Sequence, residues 1–487
     1  MSDWLPPLIL ATSLVPAIAT FFLSQTNHRW RNRLNLGGAL LKVGLVVFML
    51  VEVAGGTLHE TRFDLVPGVF LLLQVDALSL LFLTLSAFLW LLTTVYAIAY
   101  FDRKPNLSRF FGFFSLCVFA TTGIALSGSL LTFFIFYELL TLSTWPLVVH
   151  KQNAASMRAG LSYLLYSLPA SVVLLLAILW LESWTGPVEF ASPTDFAGMD
   201  AASQRWLFVL FAAGLGVKAA MVPLHGWLPA AMAAPAPVSA LLHAVAVVKA
   251  GAFGFVRIVH DVFGIERVTE LGLGLALVVL ASVTILYGSI QALRQSGIKR
   301  RLAYSTVSQV SYIILGAALA GPLALIGGLA HLVHQGLMKI TLFFCAGIYD
   351  ERAGIREIVE LNGIGARMPW TSVCFSLGAL GMIGLPPMAG FVTKIYLGLG
   401  AMESGAPWVL AVLAGSTLLN AAYFLPLLYR IWFVEPSDGD RPGERPLGIV
   451  VPAVISGLGA IAAGLLAGAD FSPLGWATLI VERHYLP

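Results

Sequence analysis

The sequence predicts an all-α polytopic membrane protein of about fourteen transmembrane helices. Three observations carry that reading. The 487 residues are 58% hydrophobic and only 11% charged, with a mean hydropathy of +0.87, values foreign to an ordinary soluble domain. Apolar stretches long enough to span hydrocarbon recur along the whole chain. Ionisable residues nevertheless interrupt several of them: Glu138 in FFIFYELLTLSTWPL, and Lys218, Lys249, Lys339 and Lys394, each deep in an apolar run. A charge at the bilayer centre costs ~2.5–3.5 kcal/mol on insertion scales, so four facing lipid would cost on the order of 10 kcal/mol. These side chains are expected to face a polar interior, and a line of ionisable groups across a membrane protein is a path for ions.

Windows of about 20 apolar residues place the spans near 5–23, 36–55, 69–100, 110–127, 130–149, 160–181, 206–227, 236–258, 268–292, 304–320, 323–348, 369–399, 407–432 and 447–467. The first is as long as a true span and has no basic residue before it, so it reads as a helix rather than a cleaved signal peptide. The loops 27–34, 102–109, 150–158, 228–235, 293–303, 349–368 and 430–446 hold 18 of the 28 Lys and Arg. The opposite side holds Arg62, Arg205, Arg257, Arg267 and Arg483, and its loop 182–204 is acidic. This positive-inside bias puts both termini outside the cytoplasm; a bacterial cytoplasmic (inner) membrane is the expected location.

Proline interrupts two spans. The seventh reads VKAAMVPLHGWLP, with Pro223 and Pro229; the twelfth reads GLPPMAGFVTK, with Pro386 and Pro387. Proline removes a backbone donor and clashes with the preceding turn. Such breaks at membrane depth persist only inside protein or beside water. Each break is the fourth of five helices in a consecutive group, and the groups start on opposite sides. That is the layout of two inverted five-helix repeats, whose ion sites gather at discontinuous helices. The expected units are helices 1–3 (1–108), a first repeat of helices 4–8 (109–260), a second of helices 9–13 (261–434), and a terminal helix 14 (435–487).

The three cysteines, Cys117, Cys345 and Cys374, lie far apart in apolar segments and form neither a disulfide framework nor a metal motif. No metal site, cofactor site or nucleic-acid partner is expected.

The run VKAAMVPLHGWLPAAMAAPAPVSALLHAVAVVKAG, together with YELL, HLVHQGLMK and GLPPMAGFVTK, resembles the antiporter-like membrane subunits. That family includes subunits of Mrp-type cation/proton antiporters, of complex I and of membrane-bound hydrogenases. The resemblance spans nearly the whole chain. It implies that Glu138 and Lys218 form a charged pair, Lys249 is the central lysine, and Lys394 ends the intramembrane axis. It places His243, His331 and His334 between the central and terminal sites and makes Asp76, in VDALSLLF, a supporting acid. The chain ends shortly after the fourteenth span, which under the resemblance argues against the largest complex I antiporter-like subunit. The Lys of GFVTK and the overall length look most like an Mrp D-type subunit.

The residues also carry blander readings. Glu138 and Lys218 form either a switch, in which separation drives a proton from Lys218 towards Lys249, or a static ion pair. Lys249 lacks an acidic neighbour in sequence, which suits a proton carrier, and lies too far inside its span to snorkel. His331 and His334, three apart, share a helix face and read as a proton relay, as structural histidines or, least well, as metal or haem ligands. Lys339 lies about 140° off that face at ~100° per residue. Lys42, on a peripheral helix, reads as structural. The break at Pro386 and Pro387 is expected to free carbonyls for cations or water; Pro223 marks the break near Lys218.

The functions in play are then three. The first is a proton-conducting subunit of a cation/proton antiporter exchanging Na⁺ or K⁺, or of a redox-driven translocase; it has no catalytic chemistry of its own and works among other hydrophobic subunits and lipid. The second is a quinone- or haem-binding redox subunit. The third is a scaffold, which would gain nothing from a line of buried charges.

Overall fold

Helix dominates because a chain in lipid must satisfy its backbone internally. The computed structural model describes residues 4–102, 104–436, 443–444 and 447–485. Arg103, and residues 437–442 and 445–446 of the expected last cytoplasmic loop, lie outside the described residues, as do both chain ends.

Among the described residues, eleven helices are long and apolar enough to cross a membrane. The other three expected spans are helical too: Ala201–Lys218, Ile298–Ala318, and the pair Pro369–Ile383 and Ala389–Glu403. Ile298–Ala318 carries three basic residues in its first turn and a hydroxyl-rich middle, and the last pair is split by its break. Both discontinuities lie at the prolines: Ala201–Lys218 stops directly before residues 219–226, and Pro369–Ile383 stops before 384–388.

The third expected span is corrected at its start. Residues 69–75 are a strand, not helix. His59–Val66 and Val69–Val75 pair antiparallel, with His59 opposite Val75, around Gly68 at φ +82°. The run VFLLLQV is apolar enough to read as membrane, and hydropathy does not separate a short buried strand from the start of a helix. The strand is tied down by Leu72 N–H donating to Thr132 Oγ1 (2.9 Å) and Gln74 N–H donating to Leu126 O (2.7 Å). Helix begins at Ala77, where the Asp76 carboxylate accepts from Ser79 N–H at 2.6 Å.

A further helix, Pro473–His484, follows Leu447–Leu465. It folds back on the third span. Trp476 Nε1 donates to Ala77 O (2.8 Å), and Arg483 donates to Val53 O (2.8 Å) and Ala54 O (2.7 Å).

Two helices form the interior. The span Ala236–Val262 is buried from Ala236 to Val259. Pro322–Ala353 packs against Ile298–Ala318, Ala389–Glu403, Leu447–Leu465, Pro369–Ile383 and Ala77–Phe101. These two carry His243, Lys249, His331, His334 and Lys339, so the expectation of an interior line of charge has a scaffold.

Candidate functional site

The first break presents Lys218 to an acid. Lys218 is the last residue of its helix, at the end where the macrodipole favours a cation. Its side chain is 1% exposed and lies 3.8 Å from Glu138 Oε1. Its Nζ donates to Tyr137 O at 2.6 Å and sits over the Tyr137 ring, 3.2 Å from the centroid. Glu138 also accepts from the Ser171 hydroxyl. The carbonyls at the broken end are taken by other groups: Tyr137 OH donates to Gly214 O (3.2 Å) and Trp227 Nε1 to Val217 O (2.7 Å). The helix carrying Lys249 closes on this end through Gly251. A Cβ there would lie 2.8 Å from the Lys218 carbonyl carbon and 2.9 Å from Ala219 Cα.

That helix is itself irregular, which its sequence does not announce. Leu241–Val245 forms a π turn, with Ala246 N–H donating to Leu241 O at 3.0 Å. Ala246 then leaves helical geometry at φ −121°, ψ −82°. The distortion falls between His243 and Lys249. π turns of this kind gather at functional sites.

The central groups are buried, and much of their hydrogen-bonding capacity is unused within the protein. Lys249 Nζ, both ring nitrogens of His243 and of His331, His334 Nε2, the Gln335 amide, Gln309 Nε2 and Tyr312 OH make no hydrogen bond among the described residues. His334 Nδ1 is 2.8 Å from Thr393 Oγ1, on the helix that carries Lys394. The His331 ring lies 5.2 Å from that of Tyr312, and His243 lies 4.5 Å from Phe343. Lys249 is within electrostatic range of His331, His334 and Lys339. Lys339 reaches the other way, donating to Leu302 O (3.1 Å) and to the Ser305 hydroxyl, in line with its position off the histidine face.

The second break is built differently. Lys394 lies beyond the break, on Ala389–Glu403, and reaches back across it. Its Nζ donates to Ile383 O (2.6 Å), the last carbonyl of Pro369–Ile383, and to Thr417 Oγ1 (2.7 Å). Asn420 Nδ2 takes the neighbouring Met382 O at 3.0 Å. The carbonyls expected to be free for cations or water are thus held in part by the protein's own lysine and asparagine. Gly384 permits the approach. It sits at φ +87°, and a Cβ there would lie 2.9 Å from Lys394 Cδ and 3.1 Å from its Nζ. Lys218, Lys249 and Lys339 are fully buried, whereas Lys394 is half-buried.

Asp76 stands apart from this line. It pairs with Arg257 through Nη1 (2.8 Å) and Nη2 (3.1 Å), and Arg257 Nη1 also meets Asp261 Oδ2 at 2.7 Å. Tyr485 OH donates to Asp261 Oδ1 at 2.7 Å. Arg257, read from sequence as an outer loop residue, is buried and joins the third span, the eighth span and the chain's last helix. Lys42 is buried as well. It donates to Ser13 Oγ (3.1 Å) and Thr122 Oγ1 (2.5 Å) and lies 5.0 Å from the Trp90 ring centroid, a packed position that agrees with a structural role.

Sequence reasoning missed Gln309, Tyr312, Gln335, Thr393, Thr417 and Asn420, which surround the charged groups. Gln335 directly follows His334, and Gln309 sits in the polar run YSTVSQVSY; both signals were readable. Among the described residues no group of His, Cys, Asp and Glu could hold a metal ion.

Comparison with known proteins gives one consistent result. Residues 127–420 match the family described as NADH:quinone oxidoreductase/Mrp antiporter, TM. NADH-quinone oxidoreductase subunit N of Desulforudis audaxviator is 34% identical over 96% of both chains. A probable K(+)/H(+) antiporter component of Rhizobium meliloti is 31% identical over 91% of this chain and 46% of its own length. In fold, the chain superposes on one from the Mrp complex of Dietzia sp. DQ12-45-1b with a TM-score of 0.87, at 24% identity and 98% coverage of each. This chain, a multi-pass membrane protein, belongs to the NADH:quinone oxidoreductase/Mrp antiporter transmembrane family.

Proposed function

We propose that this chain is the proton-conducting subunit of a multisubunit membrane complex. The observation that carries it is the buried run Lys249, His331 and His334, with donors and acceptors unused within the protein, set between two helices broken beside a lysine. Buried polar atoms of this kind are bridged by water, and imidazole both donates and accepts. The proposed axis starts at Glu138 and Lys218, passes Lys249, continues through His331 and His334, and ends at Lys394. His243 and Lys339 branch from Lys249. Asp76 supports the axis from outside by fixing the eighth span through Arg257. The breaks at Pro223 and at Pro386 and Pro387 give the two lysines helix ends to work against, and they support a division into inverted repeats at 109–260 and 261–434. The basic loops support an orientation with both termini outside the cytoplasm of a bacterial inner membrane.

Two assemblies fit this subunit. The Lys of GFVTK and the antiporter relative favour an Mrp-type monovalent cation/proton antiporter. The full-length match to an NADH-quinone oxidoreductase subunit favours the pumping arm of a redox complex. Affinity purification from native membranes in mild detergent, with mass spectrometry of what co-purifies, separates them. Only small hydrophobic partners mean an antiporter; iron–sulfur, flavin or nickel-enzyme partners mean a redox translocase. The transport reading itself is tested by Lys249→Ala in the reconstituted complex: assembly is retained and proton uptake is lost. Unchanged uptake in Lys249→Ala, Lys218→Ala and Glu138→Ala would leave a scaffold as the better reading.

A further inference from the structure

A cavity of about 520 Å³ opens on the face that bears the basic loops. Its walls come from five places in the chain: Lys151 and Arg158 around the start of Ala154–Thr185, Pro229 to Ala233 just after the first break, Lys299 and Arg300 opening Ile298–Ala318, Asp350 closing Pro322–Ala353, and Arg356 and Glu357 beyond it. Five cations thus meet two acids, and both acids are already engaged. Asp350 Oδ1 accepts from Arg356 Nε at 2.7 Å. Glu357 caps its own short helix through a backbone N–H. Lys151, Arg158, Lys299 and Arg300 have no carboxylate within 4.0 Å among the described residues. Only carbonyls hold two of them: Lys299 Nζ donates to Ala234 O (2.6 Å) and Arg158 Nε to Ala154 O (3.3 Å).

Like charges gathered around one space repel. Burial first, and then the Lys151 charge, pull the Lys299 amine down to about 7. Arg356 adds to that push and Asp350 opposes it. Lys151, Arg158 and Arg300 are exposed, so a ligand can reach their charges. The remaining wall is apolar, from Pro229, Met232 and Ile355 among others. A cationic rim beside an apolar wall, between membrane helices on the positive-inside face, suits the headgroup of an anionic lipid.

We propose that this cavity binds a phosphate-bearing anion, either the headgroup of an anionic phospholipid or free phosphate. The ligand would neutralise the surplus of cations and tie the segment after the first break to the end of the helix carrying His331 and His334. The inference is independent of the transport reading.

The test uses the whole complex, purified through a tag on this chain and studied by native mass spectrometry. It is titrated with phosphatidylglycerol, phosphatidylcholine and inorganic phosphate. The expected result is retention of phosphatidylglycerol over phosphatidylcholine, weakened about tenfold or more in the triple variant Lys151→Ala, Arg158→Ala, Arg300→Ala. A second triple variant removes as many exposed cations elsewhere on the same face (Arg29→Ala, Arg33→Ala, Arg294→Ala) and is expected to bind as the wild type does. The charge-preserving set Lys151→Arg, Arg158→Lys, Arg300→Lys restores binding, which separates lost charge from lost folding. Binding of phosphatidylglycerol alone identifies a lipid site, and binding of phosphate alone identifies a free-phosphate site; either supports the proposal. Equal losses in the two Ala triples, or binding of neither probe, overturns it.

Discussion

The two broken helices hold their lysines in different surroundings. At the first break, the carbonyl ends are occupied by the Tyr137 hydroxyl and the Trp227 indole, and Lys218 donates to the Tyr137 carbonyl on the neighbouring helix with a carboxylate 3.8 Å away. At the second, no carboxylate is near among the described residues; Lys394 itself takes the terminal carbonyl of Ile383 and shares Thr417. One lysine answers to a formal charge on a neighbouring helix, so a small shift of that helix changes its electrostatics sharply. The other is held by a helix end, whose partial charge of roughly half a unit is fixed to its own break. The difference teaches that the two breaks need not act alike: the first is built to respond to a shift of its neighbour, the second is not.

The largest expected effect lies between them. On the proposed axis Lys249 lies between the two breaks, so Lys249→Ala is expected to reduce proton uptake by about 10²-fold or more, the usual worth of a positioned acid–base group, with assembly unchanged. Dye-monitored uptake into proteoliposomes beside a native gel checks both. Next comes the asymmetry itself. Glu138→Gln removes the acid that only the first break has, and uptake is expected to fall about tenfold, the effect of ~1.4 kcal/mol on a barrier. Thr417→Glu gives the second break such an acid and is expected to slow transport similarly by pinning Lys394. If Thr417→Glu transports freely, the contrast between the breaks carries no functional weight.

Smaller effects sharpen the same comparison. Gly384→Ala places a Cβ 2.9 Å from Lys394 Cδ at φ +87°, whereas Gly405, at φ +68°, has open space around it. Both alanine variants should destabilise by about 1 kcal/mol or more through backbone strain, readable by thermal melting. Only Gly384→Ala is expected to lower uptake, roughly fivefold, by displacing Lys394. Last is a pH effect at the cavity on the basic face. Lys299, drawn to about 7 by burial and Lys151, is charged below that pH and neutral above it. The hydrogen bond to Asp350 raises Arg356, Lys151 is itself lowered by burial, and Arg158, Arg300, Asp350 and Glu357 line the same space. Phosphatidylglycerol affinity is therefore expected to fall about threefold as pH rises through 7, within the ~1 kcal/mol that one cation contributes near a membrane. Affinity that is flat in pH would mean that Lys299 does not face the ligand.

The sequence by itself determined what depends on local chemistry. Long runs of apolar residues read as spanning helices, and the breaks at Pro223 and at Pro386 and Pro387 were marked by proline, although Pro146, Pro169 and Pro426 sit inside helices. Lysines inside those runs had to turn inward, as Lys218, Lys249 and Lys339 do completely and Lys394 does in part. Glu138 and Lys218 were legible as a pair through the family motif. The tertiary structure alone decided the rest. The π turn at 241–245 lies where neither proline nor glycine marks it. The strand at 69–75 shares its hydropathy with a helix. Arg257 finds Asp76 across 181 residues, and Lys394 finds a carbonyl rather than an acid. Hydropathy and proline act within one segment and can be read along it. The partner of a buried charge is set by which distant segments pack around it, and no local pattern records that.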